Sequence, residues 1–159
     1  MSQLPAQANS IHISPMLPDD FPEVRALWAA TKGVGLDASD EREWIIAYLQ
    51  RNPGLSLVAR DETRAAGNNI VGAVLCGHDG RRGDLVHLAV AMEYRRRGIG
   101  RRLVEECLAR LRDVGILKCN IRVYWHNAEA QAFWQRLGFA VRDDLAVMQR
   151  RTSNAGDAQ

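Results

Sequence analysis

The sequence predicts an α+β fold, a single-domain α/β/α sandwich around a mixed, mostly antiparallel sheet, with the element order β-α-α-β-β-β-α-β-α-β. Three observations predict it. Short runs rich in apolar and β-branched residues alternate with longer stretches whose apolar residues recur every three to four positions. The second and third strand-like runs are separated only by a polar turn, as antiparallel neighbours are. The run at Asp84–Val90 is almost continuously apolar, which suggests cover on both faces of the sheet.

In chain order, Ile11–Met16 reads as the first strand. Asp19 or Asp20 can cap a helix running to about Ala30, with Phe21, Val24, Leu27 and Trp28 on one face. The loop Thr31–Asp37 carries two glycines and leads to a second helix near Ser39–Arg51, closed by Asn52-Pro53. Ser56–Arg60 and Ile70–Cys76 are antiparallel strands joined by the polar turn Asp61–Asn69, and Asp84–Val90 is the fourth strand. A third helix carries the stripe Ile99, Leu103, Val104, Cys107, Leu108 and Leu111, and Gly115 supplies its left-handed stop. Cys119–Trp125 is a fifth strand. Asn127 caps a fourth helix whose inward face is Ala130, Phe133, Trp134 and Leu137, with Gly138 as its stop. Phe139–Gln149 supplies the last strand. The domain is expected to span residues 11–151, between flexible ends at 1–10 and 152–159.

Composition narrows the function classes. With 159 residues, 47% hydrophobic and 25% charged, the chain has the make-up of an ordinary globular enzyme. No apolar run approaches the roughly 20 residues of a membrane span. The N-terminus lacks the basic and apolar regions of a secretory signal, so a cytoplasmic location is expected. Cys76, Cys107 and Cys119 have no zinc-ligand spacing; Cys76 and Cys107 fall on apolar stripes and read as small core residues, and no metal is expected. A net charge of +2 does not by itself argue for nucleic acid. The local distribution says more, because seven arginines lie between Arg81 and Arg102.

Three of those arginines open the informative segment, Tyr94-Arg-Arg-Arg-Gly-Ile-Gly-Arg-Arg102. A strand delivers the chain into it and the amphipathic stripe begins at Ile99. The turn therefore lies at a helix N-terminus, where free amides and about half a positive charge favour an anion. Gly98 and Gly100 lack a Cβ and let a phosphate approach the backbone, while Arg95, Arg96, Arg97 and Arg101 add charge and forked donors. A dinucleotide fingerprint is excluded: Leu103 replaces the third glycine of GxGxxG, and Lys118–Asn120 stand where an acid is needed. The P-loop pattern is absent. The plainer alternative is a tight turn beside solvated arginines.

Context favours the anion site. Arg95-Arg-Arg-Gly98-Ile-Gly100 follows Leu88-Ala-Val90. Some thirty residues later comes Asn127-Ala-Glu-Ala-Gln-Ala-Phe133-Trp134-Gln-Arg-Leu137-Gly138-Phe139. The pair of blocks resembles the coenzyme A motif and the C-terminal signature of the GCN5-related N-acetyltransferase (GNAT) superfamily. The resemblance covers the whole chain in element order and is specific over residues 84–139. It implies an acetyl-CoA-dependent N-acetyltransferase, in which a free amine attacks the thioester directly through a tetrahedral oxyanion. By resemblance, two parallel strands splay to form a cleft. Backbone groups of Leu88, Ala89 and Val90 bind the pantetheine arm, and Arg95, Arg96, Arg97, Gly98, Ile99, Gly100 and Arg101 hold the pyrophosphate. Asn127 matches a position that contacts the coenzyme, a role compatible with capping.

An alkylamine with a pKa near 10.4 is mostly protonated at pH 7, so a proton must leave before attack. Asp84 matches a position where some relatives carry a carboxylate base; the alternative is a solvated strand-end acid. Strand alternation places Asp84, Val86 and Leu88 on one face and His87 on the other, packed against a helix. A backbone N–H near Leu88 is placed to polarise the carbonyl. Two departures from the family stand out. Trp134 occupies the position of a tyrosine that serves relatives as acid for the leaving thiolate, and indole cannot supply a proton. Tyr124 is the nearest alternative phenol in sequence. Arg122 stands where ribosomal-protein acetyltransferases carry an acidic base, which argues against their substrate.

The rival readings are a non-catalytic acetyl-CoA sensor, favoured by Trp134, and a nucleic-acid module, which explains neither glycine nor the second block. The acceptor is expected to be a small-molecule or peptide amine, with no nucleic-acid or membrane partner and with homodimer formation left open. Asp37, Asp40, Glu41 and Glu43 could attract a cationic acceptor; the plainer reading is acids complementing the dipole of a first helical turn.

Overall fold

Alternating apolar residues need a ladder partner before they become a strand, and the computed structural model shows which runs find one. It describes residues 10–153; the ends expected to be flexible, 1–10 and 152–159, lie outside the described residues except for Ser10, Thr152 and Ser153. The chain divides into two compact units with the boundary after Arg122.

The first unit holds a five-stranded sheet in the order β1-β2-β3-β4-β5. Its strands are β1 (Ile11–Pro15), β2 (Leu57–Asp61), β3 (Ile70–His78), β4 (Gly83–Val90) and β5 (Cys119–Asn120). The first four run antiparallel in sequence, and β5 joins β4 in parallel. The sheet is therefore mixed and mostly antiparallel, as expected.

Helices α1 (Phe21–Ala29) and α2 (Arg42–Arg51) cover one face. Val24, Trp28, Ile45 and Leu49 pack there with Val58, Ala73, Leu75 and Ala89. Helix α3 (Ile99–Asp113) covers the other. A Cβ at Gly72 would lie 3.1 Å from a Leu103 methyl, and one at Gly83 would lie 2.7 Å from a Leu111 methyl, so the helix sits hard against β3 and β4. Of the expected stripe, Ile99, Leu103, Val104, Cys107 and Leu111 are buried and Leu108 is half-buried. Each such fully buried apolar side chain contributes about 1.5–3 kcal/mol. Cys76 is buried as well, as its apolar strand requires.

Helix α2 begins three residues later than Ser39. Asp37 and Asp40 cap one another across a single 3-10 turn, Ala38–Asp40, so two of the four acids that could have drawn a cation are engaged by backbone amides. The fifth strand is shorter than Cys119–Trp125. Its ladder holds Gly83↔Cys119 and Asp84↔Asn120, and among the described residues the chain beyond joins no ladder.

The second unit contains α4 (Ala128–Arg136). Asn127 caps it, its Oδ1 accepting from the Ala130 amide at 3.0 Å, and Gly138 follows it in the left-handed region (φ 91°). Residues 139–149 form no strand in the structure. The alternating pattern of Ala140–Met148 is present in the sequence, but strand propensity expresses a fit to a paired, half-buried surface, and the segment pairs with nothing among the described residues.

Candidate active site

The phosphate-loop candidates lie together where β4 passes into α3. Gly98 is in the left-handed region (φ 76°), and the non-glycine Arg96 joins it there (φ 62°). Left-handed residues flanked by ordinary ones turn successive amides toward one point, the geometry that cradles an anion. A Cβ at Gly98 would meet nothing within 4 Å, so glycine is required here for its backbone angle rather than for room. The amides of Ile99, Gly100 and Arg101 follow in the first turn of α3, where no intrahelical acceptor exists. The Ile99 side chain is buried beneath Gly72, so this residue can offer an anion only its backbone.

The arginines are partly committed. Arg95 Nε donates to the Val90 carbonyl at 3.1 Å, Arg97 donates to the Glu93 carbonyl and lies over the Tyr94 ring, and Arg101 faces Glu105 at 3.9 Å. Arg96 makes no hydrogen bond or ion pair among the described residues. Tyr94, buried at the root of the loop, donates its hydroxyl to the Asp61 carboxylate. That anchor ties the loop to the end of β2. Hydrogen bonds from the Thr63 hydroxyl and then from Tyr94 hold the Asp61 carboxyl at a pKa of about 2.

Beside the loop, β4 departs from the ladder. Its register with β3 runs Leu75↔Val86 and then Ala73↔Ala89, so His87 and Leu88 together oppose the single residue Val74. This is a β-bulge, with His87 in the left-handed region at φ 55°. The bulge overturns the simple alternation expected from sequence. His87 does not take the face opposite Val86: its ring stands edge-on to Trp28, 5.1 Å between centroids, and Val86 packs against the cluster that contains Trp28. The expectation that His87 packs against a helix is met. Its Nε2 lies 2.7 Å from Oδ1 of Asp40, a carboxylate that is itself buried. On its other edge β4 pairs with β5 at Gly83 and Asp84, and among the described residues no strand pairs with Leu88, Ala89 and Val90 on that side.

Asp84 lies at the start of β4, where the two parallel strands part. Its Oδ1 is buried without a hydrogen bond and lies 3.5 Å from Arg122 Nη1. Burial raises the carboxyl pKa, and the Arg122 guanidinium opposes that shift without cancelling it. Across the ladder stands Gly77, and the Tyr48 hydroxyl occupies the space a Cβ there would need. Tyr48 is half-buried, and burial followed by nearby charges including Asp84 pushes its pKa up.

A family model described as the acetyltransferase (GNAT) family matches residues 21–139. The chain belongs to the GNAT family. It is 31% identical over 132 residues to an N-acetyltransferase of Yersinia pestis that is itself uncharacterised, covering 83% of this chain and 89% of that one. Its fold is that of Ard1 from Thermoplasma volcanium (TM-score 0.71, 19% identity, 84% of both chains). It is also that of the PaiA N-acetyltransferase from Thermoplasma acidophilum, solved with coenzyme A (TM-score 0.68, 20% identity, 84% of this chain and 92% of that one).

The GNAT signature residues of the second unit stand as follows. Tyr124 is exposed and stacks on His126 at 5.4 Å. Asn127 is the α4 cap already described. Trp134 is half-buried, edge-on to Phe133 at 5.2 Å and to Phe139 at 5.1 Å, so the residue in the usual tyrosine position belongs to an aromatic cluster within its own unit. Three residues escaped the sequence reading. Tyr48 and Tyr94 were hidden among ordinary core aromatics, although Gly77, inside an otherwise apolar strand, signals a close neighbour. Arg122 was seen only as a departure from relatives, and its approach to Asp84 needed the register of β4 and β5.

Proposed function

We propose that this acetyltransferase uses acetyl-CoA and moves the acetyl group to a primary amine by direct attack. The observation that carries the reading is the loop of Arg96 and Gly98 in left-handed conformation, opening onto the free amides of α3 beside the unpaired edge of β4. The loop suits a pyrophosphate, and the edge of Leu88–Val90 suits an extended amide-bearing arm that adds to the sheet as a strand would. In the reaction the amine nitrogen bonds to the thioester carbon, the carbonyl becomes an oxyanion, and the carbon–sulfur bond then breaks. Leu88, in the bulge, is assigned the N–H that meets the oxyanion. Asp84 is assigned the proton from the attacking amine, because burial raises its pKa and so its proton affinity while the Arg122 guanidinium opposes that shift. Tyr124 is assigned the proton for the leaving thiolate, although a thiol of pKa about 8.5 can also leave as the anion. The acceptor is an amine on a small molecule or a peptide.

A panel of amines assayed by thiol release tests the reading. Turnover with at least one amine is expected, together with a rise in melting temperature on adding acetyl-CoA. The double variant Gly98→Asp, Gly100→Asp should abolish that rise while remaining folded. Binding without turnover of any amine would make the chain a sensor, and equal binding by the double variant would remove the assigned site.

A further inference from the structure

We propose that Asp40 and His87 act as a positioning pair that holds the β4 bulge, and with it the Leu88 amide, in the geometry needed to receive the oxyanion. The proposal rests on the acetyl-transfer reading above. Neither residue touches the reacting atoms in this assignment; they act through the backbone between them and the thioester.

The argument begins with the bulge. A histidine in the left-handed region is uncommon and persists only when its surroundings hold it there. Two contacts hold this one. Its Nε2 meets Asp40 Oδ1 at 2.7 Å, and its ring lies edge-on to Trp28, which is wholly buried. Asp40 is itself fixed, since its Oδ2 accepts the Asp37 amide at 2.9 Å and the residue is 5% exposed. The strut thus runs from a closed 3-10 turn, through a short bond, to the single position at which β4 leaves its register. Rotation of the His87 backbone into the ordinary β region would swing its ring off Trp28 and Asp40. It would also re-aim the next peptide, which carries the Leu88 N–H. A donor must lie about 2.7–3.1 Å from the oxyanion to count, and a displacement of a few tenths of an ångström weakens it, so losing the strut costs rate rather than binding.

His87→Asn is the informative variant. Asparagine tolerates the left-handed region but is too short to reach Asp40. Asp40→Ala removes the other end, with Asp40→Asn as the milder form should the alanine variant fail to fold. For the best amine of the panel, kcat is expected to fall about tenfold or more in His87→Asn and in Asp40→Ala, part of the 10²–10³-fold that deleting such a donor costs. The Kd for acetyl-CoA should stay within about threefold, and the double variant should be no slower than the worse single one, because the two residues act as a unit. An unchanged kcat in His87→Asn, or losses that multiply in the double variant, would overturn the pairing. Amide hydrogen exchange supplies a readout that needs no substrate: residues 86–89 should exchange several-fold faster in either variant, with 71–76 unaffected. Equal exchange at 86–89 in variant and parent would overturn the strut, whereas failure of the parent chain to turn over any amine would overturn only the acetyl-transfer reading.

Discussion

Replacing Asp84 by asparagine separates the chemical role of that carboxylate from its structural one, because the two move in opposite directions. Its Oδ1 has no hydrogen bond to lose, its cationic neighbour is the exposed Arg122 at 3.5 Å, and Asp79 acts in the opposite sense. An ion pair of that kind contributes about 0–1 kcal/mol. Burial, which raises the pKa, outweighs it. A carboxyl whose folded pKa exceeds its unfolded value of about 3.9 stabilises the fold only while protonated, and that contribution fades as pH climbs through the folded pKa. Above its folded pKa the ionised Asp84 is therefore a net cost, and there Asp84→Asn should melt at the same temperature as the parent or slightly higher. Catalysis should suffer. A positioned base supplies about 10²–10⁴-fold, so kcat at pH 7 is expected to drop at least a hundredfold. An amine of pKa about 10.4 is free in roughly one molecule in 2,500 at pH 7 and one in 25 at pH 9. The variant, dependent on amine that is already free, should recover about a hundredfold in kcat/KM over that interval, while the parent profile stays flatter. Steady-state thiol release from pH 6 to 9, beside thermal melts, measures both. Superimposable pH–rate profiles would remove Asp84 as the base, and a clear fall in melting temperature would show that Arg122, not burial, dominates its environment.

Tyr94→Phe should weaken acetyl-CoA binding and lower stability, because it severs the phosphate loop from the Asp61 carboxylate. Asp61 is held at about 2, so its contribution is present above pH 4 and disappears as pH falls from 4 toward 2. The gap in melting temperature between parent and variant should close over that window. Tyr124→Phe should cost about tenfold in kcat if Tyr124 protonates the leaving thiolate, and Trp134→Tyr should maintain or raise turnover at a modest loss of stability. Silence of both variants in a kcat assay would show that the thiolate leaves unassisted.

The elements that sequence revealed are those stabilised by their own periodicity. Helix α3 begins and ends where its stripe and Gly115 require, and α4 begins at its asparagine cap. What sequence could not show depends on partners. The Phe139–Gln149 pattern expects a neighbour that the described residues do not provide, and β5 stops once its ladder with β4 ends. The α2 start moved because Asp37 and Asp40 satisfied each other's amides in a shorter turn. At the site, the Arg/Gly loop was legible because a helix N-terminus and glycine spacing are local properties. The environment of Asp84 was not, since Gly77, Tyr48 and Arg122 reach it from three other parts of the chain.

The same distinction explains why the bulge leaves no mark in the sequence. Gly98 announces its left-handed backbone by its residue type, but His87 and Arg96 share that conformation and carry side chains that disfavour it by about 1–2 kcal/mol each. Two such residues flank the start and end of one short crossover, His87 in the strand that would present the thioester and Arg96 in the loop that would hold its phosphates. Neither could persist on propensity alone. His87 is held by Asp40 and Trp28. Arg96 sits between Tyr94, anchored on Asp61, and Ile99, buried under Gly72. In each case the strained residue is exposed or half-buried and the group that fixes it is in the core. Both strained residues thus lie where the proposed reaction needs backbone amides to point outward, and α1, α3 and β2 supply the groups that hold them.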